Sequence, residues 1–373
     1  MKKIITVLGA RPQFIKASVV SAAIATDGHF KEIVIHTGQH FDTNMSEVFF
    51  TELGIEKPVY SLDINGGGHG EMTGRMLIEI EKVLLKENPD MVMVYGDTNS
   101  TLAGALAASK LHIPVAHVEA GLRSFNMEMP EEINRILTDR ISDLLLCPTE
   151  AAIRNLHVEG YKNFDNIKIV KTGDVMQDAA IYYSSLAHPP VSANVDFSLD
   201  TPFALATIHR AENTDDPVRL QDIFKALIEI ASDLPVLFPM HPRTKQKLAA
   251  INLDHDILLA ASQGRLACIE PVGYLEMVYL LQRAQVILTD SGGLQKEAYF
   301  FGKPCITLRD QTEWVELVEQ GVNMLAGADK YLIIQSFGKM KDLTVSDVNK
   351  LYGDGTAAAN VVDALINYFV EAG

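Results

Sequence analysis

The sequence predicts an α/β protein built from two Rossmann-like domains with a central cleft. Three observations carry this. The chain has 373 residues, and at about 150 residues per domain that suggests two domains or three. Short apolar runs alternate with longer amphipathic stretches, the signature of βαβ units and a parallel, doubly covered sheet. The alternation then restarts after His188–Asp200 (HPPVSANVDFSLD), a Pro- and Ser-rich stretch that reads as an irregular connection.

The first half supplies strands at Ile4–Leu8, Glu32–His36, Met91–Tyr95, Pro114–Val118, Leu144–Cys147 and Lys168–Val170. Helices fall between them at Gln13–Ala25, Met72–Lys86, Ser100–Lys110, Glu131–Ser142 and Thr149–Glu159; Met76, Ile80, Val83 and Leu84 mark one apolar helical face. In the second half, strands are expected at Phe203–Thr207, Val236–Phe238, Ile257–Leu259, Val286–Leu288 and Cys305–Leu308. Helices are expected there at Pro217–Ser232, Leu275–Arg283 and Gly292–Phe301. The turn at Tyr352–Gly355 precedes a last helix, Thr356–Val370. The expected domains are 1–170 and 171–355, with the C-terminal helix, 356–373, packing back on the first.

Composition narrows the function. Lys+Arg is 32 and Asp+Glu 48, a net charge of −16. So acidic a chain is a poor nonspecific binder of nucleic acid or membrane surfaces. Cys147, Cys268 and Cys305 lie far apart in apolar runs, which suits buried thiols rather than disulfides or zinc. The apolar run before Gly9 is too short for a signal peptide or a membrane span, so a cytoplasmic location is expected.

Ligands of such folds bind outside the carboxyl ends of the strands, so the loops there hold the candidate chemistry. Gly9-Ala-Arg11-Pro-Gln-Phe-Ile-Lys16 turns a strand into a helix whose N-terminus, with Arg11 and Lys16, suits a phosphate or is simply a tight turn. Thr289-Asp-Ser291-Gly292-Gly293-Leu-Gln-Lys-Glu297 does the same in the second half. Its glycines let a phosphate approach the backbone, and Glu297 lies where it could reach ribose hydroxyls. Asp97, Glu119 and Glu131 sit at strand ends or helix starts. Close carboxylates separate each other's pKa, so one can be acid and another base; caps and solvated loops are the alternative. No DxD or His-rich spacing supports a metal. His209 and His241 follow core strands and can bind phosphate or move a proton at neutral pH.

Taken together, these stretches closely resemble the non-hydrolysing UDP-N-acetylglucosamine 2-epimerases. The resembling segments are GARPQFIK (9–16), GDTNSTLAGALAA (96–108), HVEAGLRS (117–124), PEEINR (130–135), TIHRAE (207–212), TDSGGLQKEA (289–298), GKP (302–304) and YGDG (352–355). They run in order along essentially the whole chain. The resemblance implies a glycosyltransferase-B-like architecture and inversion at C2 of a UDP-2-acetamido sugar, by elimination of UDP to a glycal and re-addition, with no metal or other cofactor. It implies an acid/base cluster at Asp97, Glu119 and Glu131, and His209 near the departing diphosphate. It implies UDP on Arg11, His241, Ser291, Gly292, Gly293 and Glu297, with Lys16 and Arg135 as supporting cations. The UDP-sugar and UDP are the expected partners and a homodimer the expected assembly.

Two departures bear on the substrate. Many members carry Gln-His-Arg-Gln at an allosteric substrate site; here Gln39-His40-Phe41-Asp42 puts that activation in question. Many read Thr-Glu-Arg-Pro-Glu where this chain has Thr312-Glu313-Trp314-Val315-Glu316. With Ser124-Phe-Asn-Met-Glu-Met-Pro130, this looks more like the branch acting on UDP-2,3-diacetamido-2,3-dideoxyglucuronic acid for surface polysaccharide. Arg123, Lys16 and Asn126 are candidates to meet that sugar's carboxylate. The alternatives are a UDP-N-acetylglucosamine 2-epimerase, more remotely a UDP-sugar-dependent glycosyltransferase of the same fold, or a nucleotide-sugar sensor, which need not keep all three carboxylates.

Overall fold

A computed structural model describes residues 1–39, 50, 51, 53–190, 197–249, 265–346, 348 and 351–372. The expected strand Ile257–Leu259 and the residues His40, Phe41 and Asp42 lie outside the described residues, as does part of the inter-domain connection.

The chain divides into two units, Met1–Tyr182 with Lys350–Gly373, and Tyr183–Asn349. The division falls within the helix Val175–Ser184, beyond the strand end at which the sequence suggests a boundary. Among the described residues the first unit holds seven strands: β1 Lys2–Leu8, β2 Phe30–His36, β3 Tyr60–Ser61, β4 Met91–Tyr95, β5 Val115–Val118, β6 Leu144–Cys147 and β7 Lys168–Lys171. All pair in parallel, in the order β3-β2-β1-β4-β5-β6-β7. The second unit holds six: β8 Ala204–Thr207, β9 Val236–Pro239, β10 Leu266–Ile269, β11 Val286–Thr289, β12 Cys305–Thr307 and β13 Asn323–Leu325. Their order is β10-β9-β8-β11-β12-β13, again parallel throughout. Both sheets are therefore doubly wound, with the strand order reversing between β1 and β4 and between β8 and β11. A crevice opens at such a point because the loops on either side leave in opposite directions.

The central strands are apolar on both faces. Ile4, Ile5, Val7, Val92, Val94, Leu205, Leu237 and Ile287 are buried, as expected where helices cover both sides. Helix starts follow local chemistry. Thr98 caps the helix Asn99–Lys110 by accepting from the Thr101 N–H at 3.2 Å. Pro130 opens the helix Pro130–Ile141, whose first turn carries Glu131 and Glu132 against the positive end of its dipole. The last helix, Ala357–Ala372, belongs to the first unit. The Asp178 carboxylate accepts from the N–H groups of Ala357 (3.1 Å) and Ala358 (2.7 Å), and Phe369 packs on Phe30 with centroids 5.9 Å apart.

Strands β3, β10 and β13 and the helices Val175–Ser184 and Lys330–Met340 go beyond the elements read from sequence. Two- to four-residue strands carry too few positions to show a period. All three cysteines are free: Cys147 and Cys305 are buried and Cys268 half-buried, and burial pushes the Cys305 thiol up to about 12 and Cys268 to about 11. No helix among the described residues is long and apolar enough to cross a membrane.

The helix Asn99–Lys110 lies unusually close to the first sheet. A Cβ on Gly104 would come within 3.1 Å of both Val7 and Val94, side chains already locked in the sheet. Gly104→Val should therefore lower stability by about 1–3 kcal/mol through overpacking. Gly74, in the helix His69–Glu87, has open space where a Cβ would go; Gly74→Ala should raise stability by up to about 1 kcal/mol. Denaturant midpoints at constant slope check both, and equal midpoints for the two variants would contradict the packing account.

Candidate functional site

In the first unit the switch point is tied by Gln13. Its amide oxygen accepts from the N–H groups of Gly9 (2.7 Å) and Ala10 (3.0 Å), and its amide nitrogen donates to the carbonyl of Tyr95 at 2.6 Å. The loop after β1, which leads into the helix Arg11–Asp27 carrying Arg11 and Lys16, is thereby joined to the loop after β4, which carries Asp97. Gly96 takes a φ of +62°, turning the chain so that Asp97 follows the strand end directly. On the neighbouring strand, Glu119 follows β5 with φ +76°, a left-handed conformation that costs about 1–2 kcal/mol for a residue with a Cβ. Buried Glu119 pairs with the Lys16 ammonium.

Asp97 pairs with Arg135 (Nη2 to Oδ2, 2.6 Å), and Arg135 also donates to Glu132 Oε2 at 2.6 Å. Glu132 is fully buried and accepts the N–H groups of Ser124 and Phe125, both at 2.9 Å. Asn134 Nδ2 donates to the Asp97 carbonyl at 2.9 Å. Burial holds the Asp97 carboxyl above the ordinary carboxylate value; Arg135 opposes this and the Glu119 charge adds to it. The Ser124 and Phe125 N–H bonds, with Arg135, hold Glu132 below its ordinary value against the cost of burial.

Lys16 and Arg135 are thus both engaged with carboxylates of this cluster. Half-buried Glu131 lies one turn before Arg135 on the same helix, and Asp139 one turn after it. Arg123 is committed deep behind the cluster, to Asp139 at 2.7 Å and to Glu159 at 2.7 and 2.8 Å. This overturns its candidacy for a sugar carboxylate, because a buried guanidinium saturated by two carboxylates cannot turn outward. Sequence reasoning placed Glu132 beside Glu131 in the first turn after Pro130 but gave it no role, and it missed Gln13, Asn134 and Asp139. The i, i+3 and i, i+4 spacings of Glu132, Arg135 and Asp139 were visible, but their buried face was not.

In the second unit the tie is Asp290, fully buried. Its carboxylate accepts from the His209 N–H (3.1 Å), the Arg210 N–H (3.0 Å) and Asn213 Nδ2 (3.2 Å), joining the loops after β8 and β11. His209 Nδ1 lies 3.2 Å from Asp290 Oδ1, and the His209 and His241 rings are 6.0 Å apart. Burial and the neighbouring His209 push His241 below its ordinary value, and its Nδ1 accepts from the Arg243 N–H at 3.2 Å. Ser291 caps the helix Gly292–Phe300, accepting from Leu294 N–H at 3.4 Å.

The two glycines differ in their surroundings. A Cβ on Gly292 would lie 2.2 Å from Glu313 Oε1, whereas one on Gly293 would meet only Ser291 Oγ at 4.0 Å. Glu313 is pinned by Arg309 at 3.0 Å. Trp314 Nε1 donates to the Gly292 carbonyl at 2.8 Å, and its ring lies 4.1 Å from Lys296 Nζ. Glu297 is buried on the same helix. His209, His241, Ser291, Gly292 and Gly293 therefore gather at the carboxyl ends of β8, β9 and β11. Among the described residues no group of three or more His, Cys, Asp or Glu could hold a metal ion.

Comparison with known proteins agrees with this layout. The family model for UDP-N-acetylglucosamine 2-epimerase matches residues 22–366. A UDP-2,3-diacetamido-2,3-dideoxy-D-glucuronate 2-epimerase of Pseudomonas aeruginosa is 58% identical over 364 residues, 97% of this chain and 99% of that one. A UDP-N-acetylglucosamine 2-epimerase homolog of Methanococcus maripaludis is 50% identical over 98% of this chain and 99% of its own. The crystal structure of Methanocaldococcus jannaschii UDP-GlcNAc 2-epimerase in complex with UDP-GlcNAc and UDP superposes with a TM-score of 0.84 at 46% identity, covering 98% of this chain and 100% of that one. With its two parallel switch-point sheets and a match running almost end to end, the chain belongs to the UDP-N-acetylglucosamine 2-epimerase family.

Proposed function

We propose that this protein is a UDP-sugar 2-epimerase that inverts C2 of UDP-2,3-diacetamido-2,3-dideoxyglucuronate to the manno epimer, in the cytoplasm and as a homodimer, for surface polysaccharide synthesis. The observation that carries the chemistry is the pair Asp97 and Glu119, set at the ends of adjacent strands and each facing its own cation.

The C2 hydrogen of the substrate is barely acidic, because no carbonyl adjoins C2. Breaking the C1–O bond first sends its electron pair to UDP and leaves positive charge at C1, which makes the C2–H bond removable. A carboxylate takes that proton, giving the glycal. A proton then reaches the other face of C2, and the UDP oxygen returns to C1. Asp97, whose carboxyl burial holds above its ordinary value, suits the giving of a proton. Glu119, beside an ammonium, suits the taking of one, and Glu131 completes the cluster. The second unit's loops suit UDP. The capped helix start at Ser291, the open turn at Gly293, and His209 and His241 offer donors to a diphosphate that gains charge as it leaves. Glu297 would meet ribose hydroxyls and Arg11 the nucleotide.

Substrate choice rests on the 58% identical relative and on where the chain departs from the family pattern. Trp314 bonds directly to the Gly292 carbonyl, and the Ser124–Phe125 backbone is held by Glu132, which also holds Arg135 and through it Asp97. Both departures therefore adjoin a candidate cluster. A site that pairs a buried sugar carboxylate leaves its groups unpaired when a neutral CH2OH sugar binds, a mismatch of up to about 10⁴ in kcat/KM. Turnover of the diacetamido-uronate should exceed that of UDP-N-acetylglucosamine accordingly, and equal turnover of the two would discard the uronate assignment while leaving the epimerase reading in place.

In D2O, turnover should place solvent deuterium at C2, read by proton NMR; epimerised product that keeps its C2 hydrogen would refute the elimination. Asp97→Asn, Glu119→Gln and Glu131→Gln should each lower kcat by about 10²-fold or more, while Ser291→Ala weakens UDP binding instead, as isothermal titration would record. The pH dependence has a definite sign. If Asp97 gives its proton, kcat falls as pH rises through its raised pKa. Arg135 lowers that pKa, so Arg135→Gln should move the alkaline limb of the kcat profile to higher pH; a shift to lower pH contradicts the acid role.

A further inference from the structure

Behind the carboxylate cluster lies a buried group that the epimerase reading does not use. His117, on β5, is fully buried, as is Asp139 on the helix Pro130–Ile141. His117 Nδ1 is 2.6 Å from Asp139 Oδ1, and its Nε2 is 2.7 Å from the carbonyl oxygen of Gly96. Each ring nitrogen therefore faces an acceptor. A carbonyl has only lone pairs to offer, so Nε2 must carry a proton. Asp139 Oδ2 already accepts from Arg123 Nη1 at 2.7 Å and from the Gly121 N–H at 3.1 Å, the pattern of an ionised carboxylate, so Nδ1 must carry a proton as well. From these contacts we infer that His117 is a buried imidazolium, and that it acts as the positioning residue for Asp97 by clamping the Gly96 carbonyl to the helix that carries Arg135.

The surroundings agree. Arg123 is shared between Asp139, fully buried, and Glu159, whose carboxylate reaches solvent. With a neutral ring either Asp139 Oδ1 or the Gly96 carbonyl would face an imidazole lone pair, leaving a buried acceptor without its donor. Consistently, Asp139 is held below its ordinary value against the cost of burial, with His117 and then Arg123 as the lowering partners. Cys147 on β6 and Tyr161 also border this cluster, and burial and then Asp139 push both up; the charges of Glu150 and Arg140 reach these two groups from the helices Glu150–Val158 and Pro130–Ile141. Asp97, Glu119, Lys16 and Arg135 lie on the outer side, beyond Gly96.

The positioning follows from what the clamp holds. Gly96 is the residue before Asp97, and its positive φ leaves its peptide without support from the strand ladder beyond Gly96 N–H to Val118 carbonyl, at 3.0 Å. His117 fixes this peptide from behind, while Asn134 donates to the Asp97 carbonyl from in front. Both holds run to the same helix, Asn134 directly and His117 through Asp139. The helix that supplies Arg135 to the Asp97 carboxylate thereby also sets the backbone from which that carboxylate projects.

Histidine-labelled protein tests this by two-bond ¹H–¹⁵N NMR. In the native protein both His117 ring nitrogens should read as protonated at pH 7.5; a singly protonated ring there overturns the charge assignment, whatever the enzyme turns over. Asp139→Asn keeps every hydrogen bond, because its amide NH2 can donate to Nδ1, but removes the need for the second proton. His117 should then become singly protonated. A ring that stays doubly protonated in this variant overturns the account of its charge. The positioning role is read at His117→Gln, which can donate to Gly96 but not to Asp139 and so uncouples that carbonyl from the helix. There kcat should fall about tenfold or more with KM within about threefold, since Asp97 is displaced without loss of substrate contacts; wild-type kcat in His117→Gln overturns the role.

Discussion

Both units depend on one constraint at the point where strand order reverses. There two adjacent parallel strands end side by side, and their loops depart in opposite directions. The backbone N–H and carbonyl groups at the parting have no ladder partner and must still be satisfied. In the first unit Gln13 supplies both a donor and an acceptor across the gap. In the second, Asp290 supplies only acceptors, to three donors on the loop opposite. Each tie fixes the spacing of the segments that carry the candidate chemistry, the helix start with Arg11 and Lys16 against Asp97, and His209 against Ser291.

The two units solve different electrostatic problems on this common frame. The first gathers carboxylates, and four cations answer them: Lys16, Arg135, Arg123 and the imidazolium of His117. Buried ions are costly unless paired and hydrogen bonded throughout, and here Asp97, Glu119, Glu132 and Asp139 each have at least one cation, with backbone donors besides for Glu132 and Asp139. Such a network stabilises the fold little. It holds Asp97 and Glu119 in distinct environments only a strand apart, which is what proton transfer in two directions requires. The second unit gathers donors instead: a helix start, imidazoles and a glycine turn, around one buried anion, Asp290.

The helix Pro130–Ile141 organises the first cluster. Glu131, Arg135 and Asp139 follow one another at single turns, and Glu132 and Asn134 flank them. One rigid element therefore reaches the Asp97 carboxylate, the Asp97 carbonyl, the loop at Ser124 and Phe125, and the clamp on Gly96. Sites built on regular elements keep their geometry better than sites built on loops. In the second unit Trp314 has a comparable place, since it ties its own segment to the glycine turn through one hydrogen bond. The residues that set this chain apart from the commoner family pattern thus touch the two organising elements rather than the periphery.

Much of this was legible in the sequence. The alternation of apolar runs and helical faces implied two doubly wound halves, because parallel strands buried on both sides read as unbroken apolar runs whatever they pack against. The motifs at residues 9–16, 96–108, 117–124, 130–135 and 289–298 identified the candidate residues, since loops at strand ends keep their chemistry local. What the sequence could not show was pairing. Lys16 and Arg135 read equally well as phosphate-binding cations, and only the adjacency of β1, β4 and β5 turned them onto Glu119 and Asp97. Arg123 read as available, and only the packing of the helix Pro130–Ile141 over β5 buried it against Asp139. The glycines at 292 and 293 read alike, and only the fold of the segment from Arg309 to Trp314 placed a carboxylate over one and left the other open. Local propensity and hydrophobic period are properties of neighbouring residues. The charge and orientation of a buried side chain depend on partners tens of residues away, and those are set only when the sheet closes.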